Sequence, residues 1–206
     1  RAQGLSVAAM CEPATEVGGD YYDFLPLPDG RVGVLIADVS GKGTSAALYM
    51  AELKGLMLSL SRVHSSPRAL LIEADRIISQ HLGSRSFITM TYALIDPAAS
   101  TLTCARAGHC PFIKIPAAPG RERRAEVLAP DGMVLLARSF YPVRDEDYEA
   151  DELVGARISS RAIQSASSRR PLWSGANDGP GPVVATCRKP RGTLAPSLRA
   201  LPRTRI

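Results

Sequence analysis

Seven residues, Val32–Asp38 (VGVLIAD), run almost without a polar side chain and end on a carboxylate. A stretch so short and so apolar reads as a strand buried on both faces. Tyr21–Leu27 precedes it, with Pro28-Asp29-Gly30 between as a turn signal, so the two form a hairpin. After Asp38 the chain opens into Ser40-Gly41-Lys42-Gly43, and a helix begins near Thr44. Its Ala46, Met50, Leu53, Met57 and Leu60 recur at helical spacing and give one apolar stripe. Ser65-Ser66-Pro67 caps a second helix, whose Leu70, Leu71, Ala74, Ile77 and Ile78 keep the same period and which ends near Gly83.

Strands return after the helices. Phe87–Ile95 is rich in β-branched and aromatic residues, Asp96-Pro97 turns the chain, and Ser100–Ala107 runs back. Gly108-His109-Cys110-Pro111 breaks the pattern before a short strand at Phe112–Ile115, and Leu5–Cys11 supplies an opening strand. Hairpins imply antiparallel sheets, and two amphipathic helices must cover a sheet face. The fold class is therefore α+β.

Charge divides the chain in two. Of its 25 basic and 20 acidic residues, 155–206 hold ten Lys/Arg and only Asp178 as an acid. The body is thus mildly acidic and the tail strongly basic. The tail also holds six Pro, five Gly and seven Ser, and no helical or alternating pattern survives there beyond a few positions. The expectation is a domain over 1–154 and a disordered tail over 155–206. The tail arginines are scattered without aromatic interleaving, so no nucleic-acid partner is expected. Cys11, Cys104, Cys110 and Cys187 have neither CxxC nor zinc-finger spacing, the pattern of a reduced, cytoplasmic protein. No apolar run is long enough for a membrane span. The chain starts at Arg1 without a signal peptide, from which an upstream segment is expected.

The chemistry centres on Asp20 and Asp38. Asp20 follows Gly18-Gly19, which let the backbone approach a ligand or a neighbouring strand. Asp38 ends a buried strand, where a carboxylate is costly unless paired or metal-bound. Two carboxylates on open glycine backbone suit hard divalent ions, Mn²⁺ or Mg²⁺, and a two-metal site can hold a hydroxide against a phosphoryl group. Aspartates beside glycines also cap turns and helix starts, and spacing alone leaves that alternative open. Ser40–Thr44 echoes a phosphate-binding loop, but Ile36 stands where the first glycine is required and Gly43 follows Lys42. Lys42 remains a candidate phosphate contact or a solvated lysine. His109-Cys110 lacks the anion-binding arginine of a cysteine phosphatase loop, Pro116 standing at that place, so the pair is read as structural. His64 and His81 sit at helix ends and are read as surface residues.

Four stretches in order, PATEVGGDYYDF (Pro13–Phe24), IADVSGKGTSAALYMA (Ile36–Ala51), FITMTYALID (Phe87–Asp96) and ARAGHCP (Ala105–Pro111), resemble the successive motifs of one family. It is the SpoIIE/RsbU-type branch of the metal-dependent protein serine/threonine phosphatases (PPM family), and the resemblance runs from about Leu5 to Gly132. It implies an αββα sandwich of two antiparallel sheets with helices outside. It implies removal of phosphate from phosphoserine or phosphothreonine on a small anti-sigma-factor antagonist in partner-switching signalling, often under an upstream sensor domain. By resemblance Asp20 and Asp38 are metal ligands for Mn²⁺ or Mg²⁺, joined by the Val39 carbonyl, with Asp38 bridging two ions. Gly41 and Gly43 shape the turn, and Ser40 stands where the eukaryotic branch has histidine.

The resemblance ends near Val154. The family carries a further aspartate in a T-D-G motif closing an apolar strand, and another near its C-terminus. Asp29-Gly30 and Asp131-Gly132 read as turns, and Asp178-Gly179 has no apolar strand before it. Glu149–Val154 (EADELV) looks like the lead-in to T-D-G, but GARISSRAIQSASS follows. The expectation is a phosphatase domain that is incomplete at its C-terminal end, its tail read out of register, with weakened metal binding. The alternative is a non-catalytic remnant or protein-binding module of the same fold.

Overall fold

The computed structural model describes residues 6–11, 17–41, 43–81, 86–114, 125–137, 144, 150–153, 163–165 and 182–187. Lys42, Asp178 and the boundary at Val154 lie outside them. Two sheets and two helices make up the α+β architecture. One sheet has the order β2(Asp20–Pro26)-β3(Val32–Val39)-β4(Ile88–Asp96)-β5(Thr101–Ala107)-β8(Ala150–Leu153) and is antiparallel throughout. The other has the order β1(Ser6–Cys11)-β10(Pro182–Cys187)-β9(Ile163–Ser165)-β6(Phe112–Lys114)-β7(Glu126–Leu128). Within it β6 pairs antiparallel with β7 and β9, while β10 runs parallel to both β1 and β9.

The hairpins form where the punctuation residues stand. Gly30 takes φ +84°, the left-handed region that glycine enters at no cost, and its N–H donates to the Leu27 carbonyl across the turn. The helices α1 (Gly43–Leu60) and α2 (Pro67–His81) start at their sequence signals. The Ser66 hydroxyl accepts from the Ala69 N–H, capping α2, with Pro67 in the first turn where its missing donor is not needed. Both helices pack on the β2–β5 face. Among the described residues no helix covers the other sheet.

Alternation along β3 divides the core into two layers. Leu35, Ala37 and Val39 face the helices and join Leu53, Met57, Leu70, Leu71 and Ile78. Val32, Val34 and Ile36 face the opposite way and join Phe112 and Leu128 of the second sheet. The apolar run is buried on both faces because both neighbours are layers of the same protein. At Gly33 the strand makes room for the Tyr92 ring, since a Cβ there would stand 2.5 Å from its hydroxyl oxygen. That hydroxyl is buried without a hydrogen-bond partner among the described residues, and burial pushes its pKa up to about 12. Tyr92→Phe keeps the packed ring and deletes an unsatisfied polar atom, so it is expected to stabilise the chain by about 1 kcal/mol in urea melts.

Two strands, Ile163–Ser165 and Pro182–Cys187, fall within 155–206, where the sequence patterning assigns none. They are three and six residues long, too short for a period to register, and their partners β1 and β6 are distant in sequence. The remainder of that segment lies outside the described residues. β7 and β8 likewise show no period in sequence, being three and four residues long.

Candidate metal centre

The register of the β2–β3 hairpin brings the two aspartates together. Asp20 and Asp38 are direct cross-strand partners at the end of the ladder. Directly opposed residues project to the same face, with Cβ atoms about 5 Å apart. That face is the one carrying Ile36 and Val34, so the two carboxylates terminate the layer between the sheets. Both are half-buried. Like charges placed opposite one another repel, so the pairing costs stability that a bound cation would offset.

The glycines act at close approach and at the turn. A Cβ on Gly19 would stand 2.6 Å from the Val39 carbonyl oxygen and 3.0 Å from its Cβ, so only glycine fits. The Val39 N–H donates to the Gly19 carbonyl at 3.2 Å, binding the two stretches together. Gly18, partly buried, leads into this contact. Gly41 at φ +108° and Gly43 at φ +70° turn the chain from β3 into α1, a path open to glycine and strained for other residues. Ser40 extends the β3–β4 ladder past Val39: its N–H donates to the Phe87 carbonyl, and its hydroxyl accepts from the Phe87 N–H at 2.8 Å.

Asp20, Asp38 and the Val39 carbonyl are all hard oxygen donors, and the space against that carbonyl is one a Cβ would fill. The set fits Mg²⁺ or Mn²⁺ rather than a thiolate-seeking metal. Among the described residues no group of three or more His, Cys, Asp or Glu side chains converges as a metal cluster. The described residues therefore supply two carboxylates of such a centre and no third.

Other polar residues reach this end of the sandwich without having been assigned to it from sequence. Thr89 on β4 is the cross-strand partner of Asp38, making a rung Asp20–Asp38–Thr89. One rung further in, Ile36 faces Thr91, and Thr91 faces Arg106. Strand alternation held the signal, since Thr89 and Thr91 lie on the face that also carries Ala93 and Ile95. Two threonines on an otherwise apolar inter-sheet face mark it as polar at that end.

His109, read from sequence as structural, is buried with its Nδ1 2.8 Å from the Thr89 hydroxyl. Burial lowers its pKa to about 4; the Asp38 charge opposes that shift and Arg106 adds to it. In the metal-free chain the unfolded imidazole titrates near 6.5. Between those values the unfolded chain binds a proton that the folded chain refuses, so stability falls as pH falls. The loss attributable to His109 amounts to about 3 kcal/mol at pH 4 and vanishes above pH 6.5. Urea titrations across this window are expected to show a shallower slope for His109→Gln.

The family model described as Stage II sporulation protein E (SpoIIE) matches residues 28–154. Over 109 residues the chain is 37% identical to the phosphoserine phosphatase RsbU of Bacillus subtilis (strain 168), covering 53% of this chain and 32% of that protein. It is 30% identical over 104 residues to the phosphoserine phosphatase RsbP of the same organism, covering 48% and 26%. The chain thus spans about a third or less of the length of these two relatives. The RsbU and RsbW domains of Rv1364c from Mycobacterium tuberculosis superpose with a TM-score of 0.56 at 24% identity, over 73% of this chain and 40% of that one. RsbX, solved in complex with magnesium, gives 0.52 at 16% identity, over 70% and 64%. At such identities the likeness to solved structures is one of fold. The family match, by contrast, covers more than half of the chain, with Asp38 inside the matched residues and Asp20 before them: the chain belongs to the SpoIIE family.

Proposed function

We propose that the chain is the phosphatase domain of a partner-switching signalling protein, acting on phosphoserine or phosphothreonine of an anti-sigma-factor antagonist. The observation that carries this reading is the Asp20–Asp38 rung beside the Val39 carbonyl, in a chain of the SpoIIE family. Asp20, Asp38 and the Val39 carbonyl would hold Mn²⁺ or Mg²⁺. Such ions supply a water activated at neutral pH and neutralise a phosphoryl group. The protein's own part is to keep these donors in one place: Gly19 locks the Val39 backbone, and the Gly41–Gly43 turn brings α1 up behind it. Lys42, outside the described residues, is proposed as a phosphate contact. An upstream sensor domain and a cytoplasmic setting belong to the same reading.

A second reading rests on the acidic count. With two carboxylates and no third among the described residues, a non-catalytic protein-binding module of the same fold would keep its recognition surface and lose turnover. Hydrolysis of an aryl phosphate with and without Mn²⁺ separates the two. Manganese-dependent turnover supports the phosphatase, and none at any metal concentration supports the binding module. Reading the coding DNA in its other two frames checks the proposed loss of register after Val154. A T-D-G motif following an apolar strand is the expected find, and its absence from both frames refutes the proposal.

A further inference from the structure

The imidazole of His109 is nine-tenths buried, and its Nε2 has no hydrogen-bond partner among the described residues. Burying a polar nitrogen that way costs on the order of 1–3 kcal/mol, so the fold holds the ring there for something else it does. Its surroundings are unusually fixed. The guanidinium of Arg106 grips the segment from outside, Nε donating to the Pro130 carbonyl at 2.8 Å and a terminal nitrogen to the His109 carbonyl at 3.1 Å. Gly108, at φ +64°, donates its N–H to the Gly132 carbonyl. On the C-terminal side of His109, the Thr91 hydroxyl donates to the Cys110 carbonyl at 3.1 Å. Both flanks of His109 are thereby tied to the sheet that carries Asp38.

The remaining nitrogen, Nδ1, meets the Thr89 hydroxyl at 2.8 Å, and that hydroxyl lies 3.4 Å from the Asp38 carbonyl. Thr89 has one proton. If it goes to Asp38, the hydroxyl oxygen is left to accept from Nδ1–H, and the three groups form a directed chain, imidazole to hydroxyl to backbone carbonyl. We propose that His109 and Thr89 are a positioning pair that fixes the Asp38 backbone, and so aims the Asp38 carboxylate and the Val39 carbonyl. Neither residue is a ligand. They serve the donors as outer partners do at metal centres, where orientation of a ligand is set by what holds its other side. The proposal rests on the reading of Asp38 and Val39 as metal donors.

The test uses the full chain and two measurements: Mn²⁺ affinity by electron paramagnetic resonance, and hydrogen exchange of the Val39 amide in metal-free protein. Thr89→Val is expected to weaken Mn²⁺ binding about tenfold or more and to speed Val39 exchange. Thr89→Ser, which keeps the hydroxyl, returns both toward the unmodified values. His109→Phe, which keeps a ring, reproduces the losses of Thr89→Val, and the double variant loses no more than either alone, as members of one chain must. Additive losses, or a Val39 amide indifferent to Thr89→Val, overturn the proposal. If the unmodified chain binds no Mn²⁺ at millimolar metal, the metal reading itself fails, and the Val39 amide alone decides whether the pair positions Asp38.

Discussion

Asp38→Asn is expected to stabilise the metal-free chain and to abolish its response to manganese. The first half follows from the rung. Asp20 and Asp38 oppose one another on a single face, and removing one of two facing like charges relieves roughly 0.2–1 kcal/mol while keeping shape and size. The second half follows from ligand charge. Outer partners of a metal are typically worth about 10–100-fold in affinity, so removal of a ligating charge is expected to cost more than about 100-fold. Any aryl-phosphate turnover goes with it. The opposite signs make the result diagnostic: the unmodified chain gains thermal stability on adding Mn²⁺ as binding to the folded state demands, and the variant starts higher and gains nothing. Equal metal response in both chains would remove Asp38 from the ligand set. A variant less stable than its parent without metal would mean that the carboxylate caps the turn, the alternative that the sequence left open.

Asp75→Ala is expected to be strongly destabilising although it lies away from the metal centre. Asp75 is completely buried on α2, and its carboxylate accepts from the Leu136 N–H at 2.7 Å and from the Ser79 hydroxyl at 3.3 Å. Leu136 has φ +71°, which a leucine adopts only when its surroundings hold it there. Its neighbour Leu135 exchanges two backbone hydrogen bonds with Ile88, the first residue of β4. The carboxylate thus ties α2, through one strained residue, to the strand end that carries Thr89. Alanine leaves the Leu136 N–H buried without its acceptor, at a cost of about 3 kcal/mol once the lost charge-assisted bond is included. For a domain of this size that lowers the melting temperature by roughly 10 °C. Asp75→Asn keeps an acceptor and is expected to lose less than half as much. Equal losses in the two variants would assign the effect to charge rather than to the Leu136 bond.

The same residue marks what a linear pattern hides. Asp75 falls within the apolar stripe of α2, between Leu71 and Ile78, where periodicity counts it as an interruption. Its partner Leu136 is 61 residues away in a stretch with no regular pattern. His109 shows the same effect. In sequence it belongs to a four-residue break, Gly108-His109-Cys110-Pro111, and nothing local distinguishes a buried positioning imidazole from a structural one. The β4–β5 hairpin and the Arg106 clamp carry it to Thr89. The short strands β7, β8, β9 and β10 carry no local signal for a related reason, because three to six residues exist as strand only when a distant edge offers hydrogen bonds.

What local chemistry dictates was legible in advance. The hairpin at Pro28-Asp29-Gly30, the doubly buried Val32–Asp38, the two helices with their apolar stripes and the Ser66 cap all follow from periods and punctuation that act over a few residues. The pairing of Asp20 with Asp38 was half legible. Both aspartates stand at strand ends beside glycine, but whether they meet depends on register, and one residue of slip would put them on opposite faces. Register is decided by the layers packed on both sides of β3. Only the tertiary structure could therefore turn two turn-like aspartates into a rung of like charge, and bring Thr89 and His109 behind it.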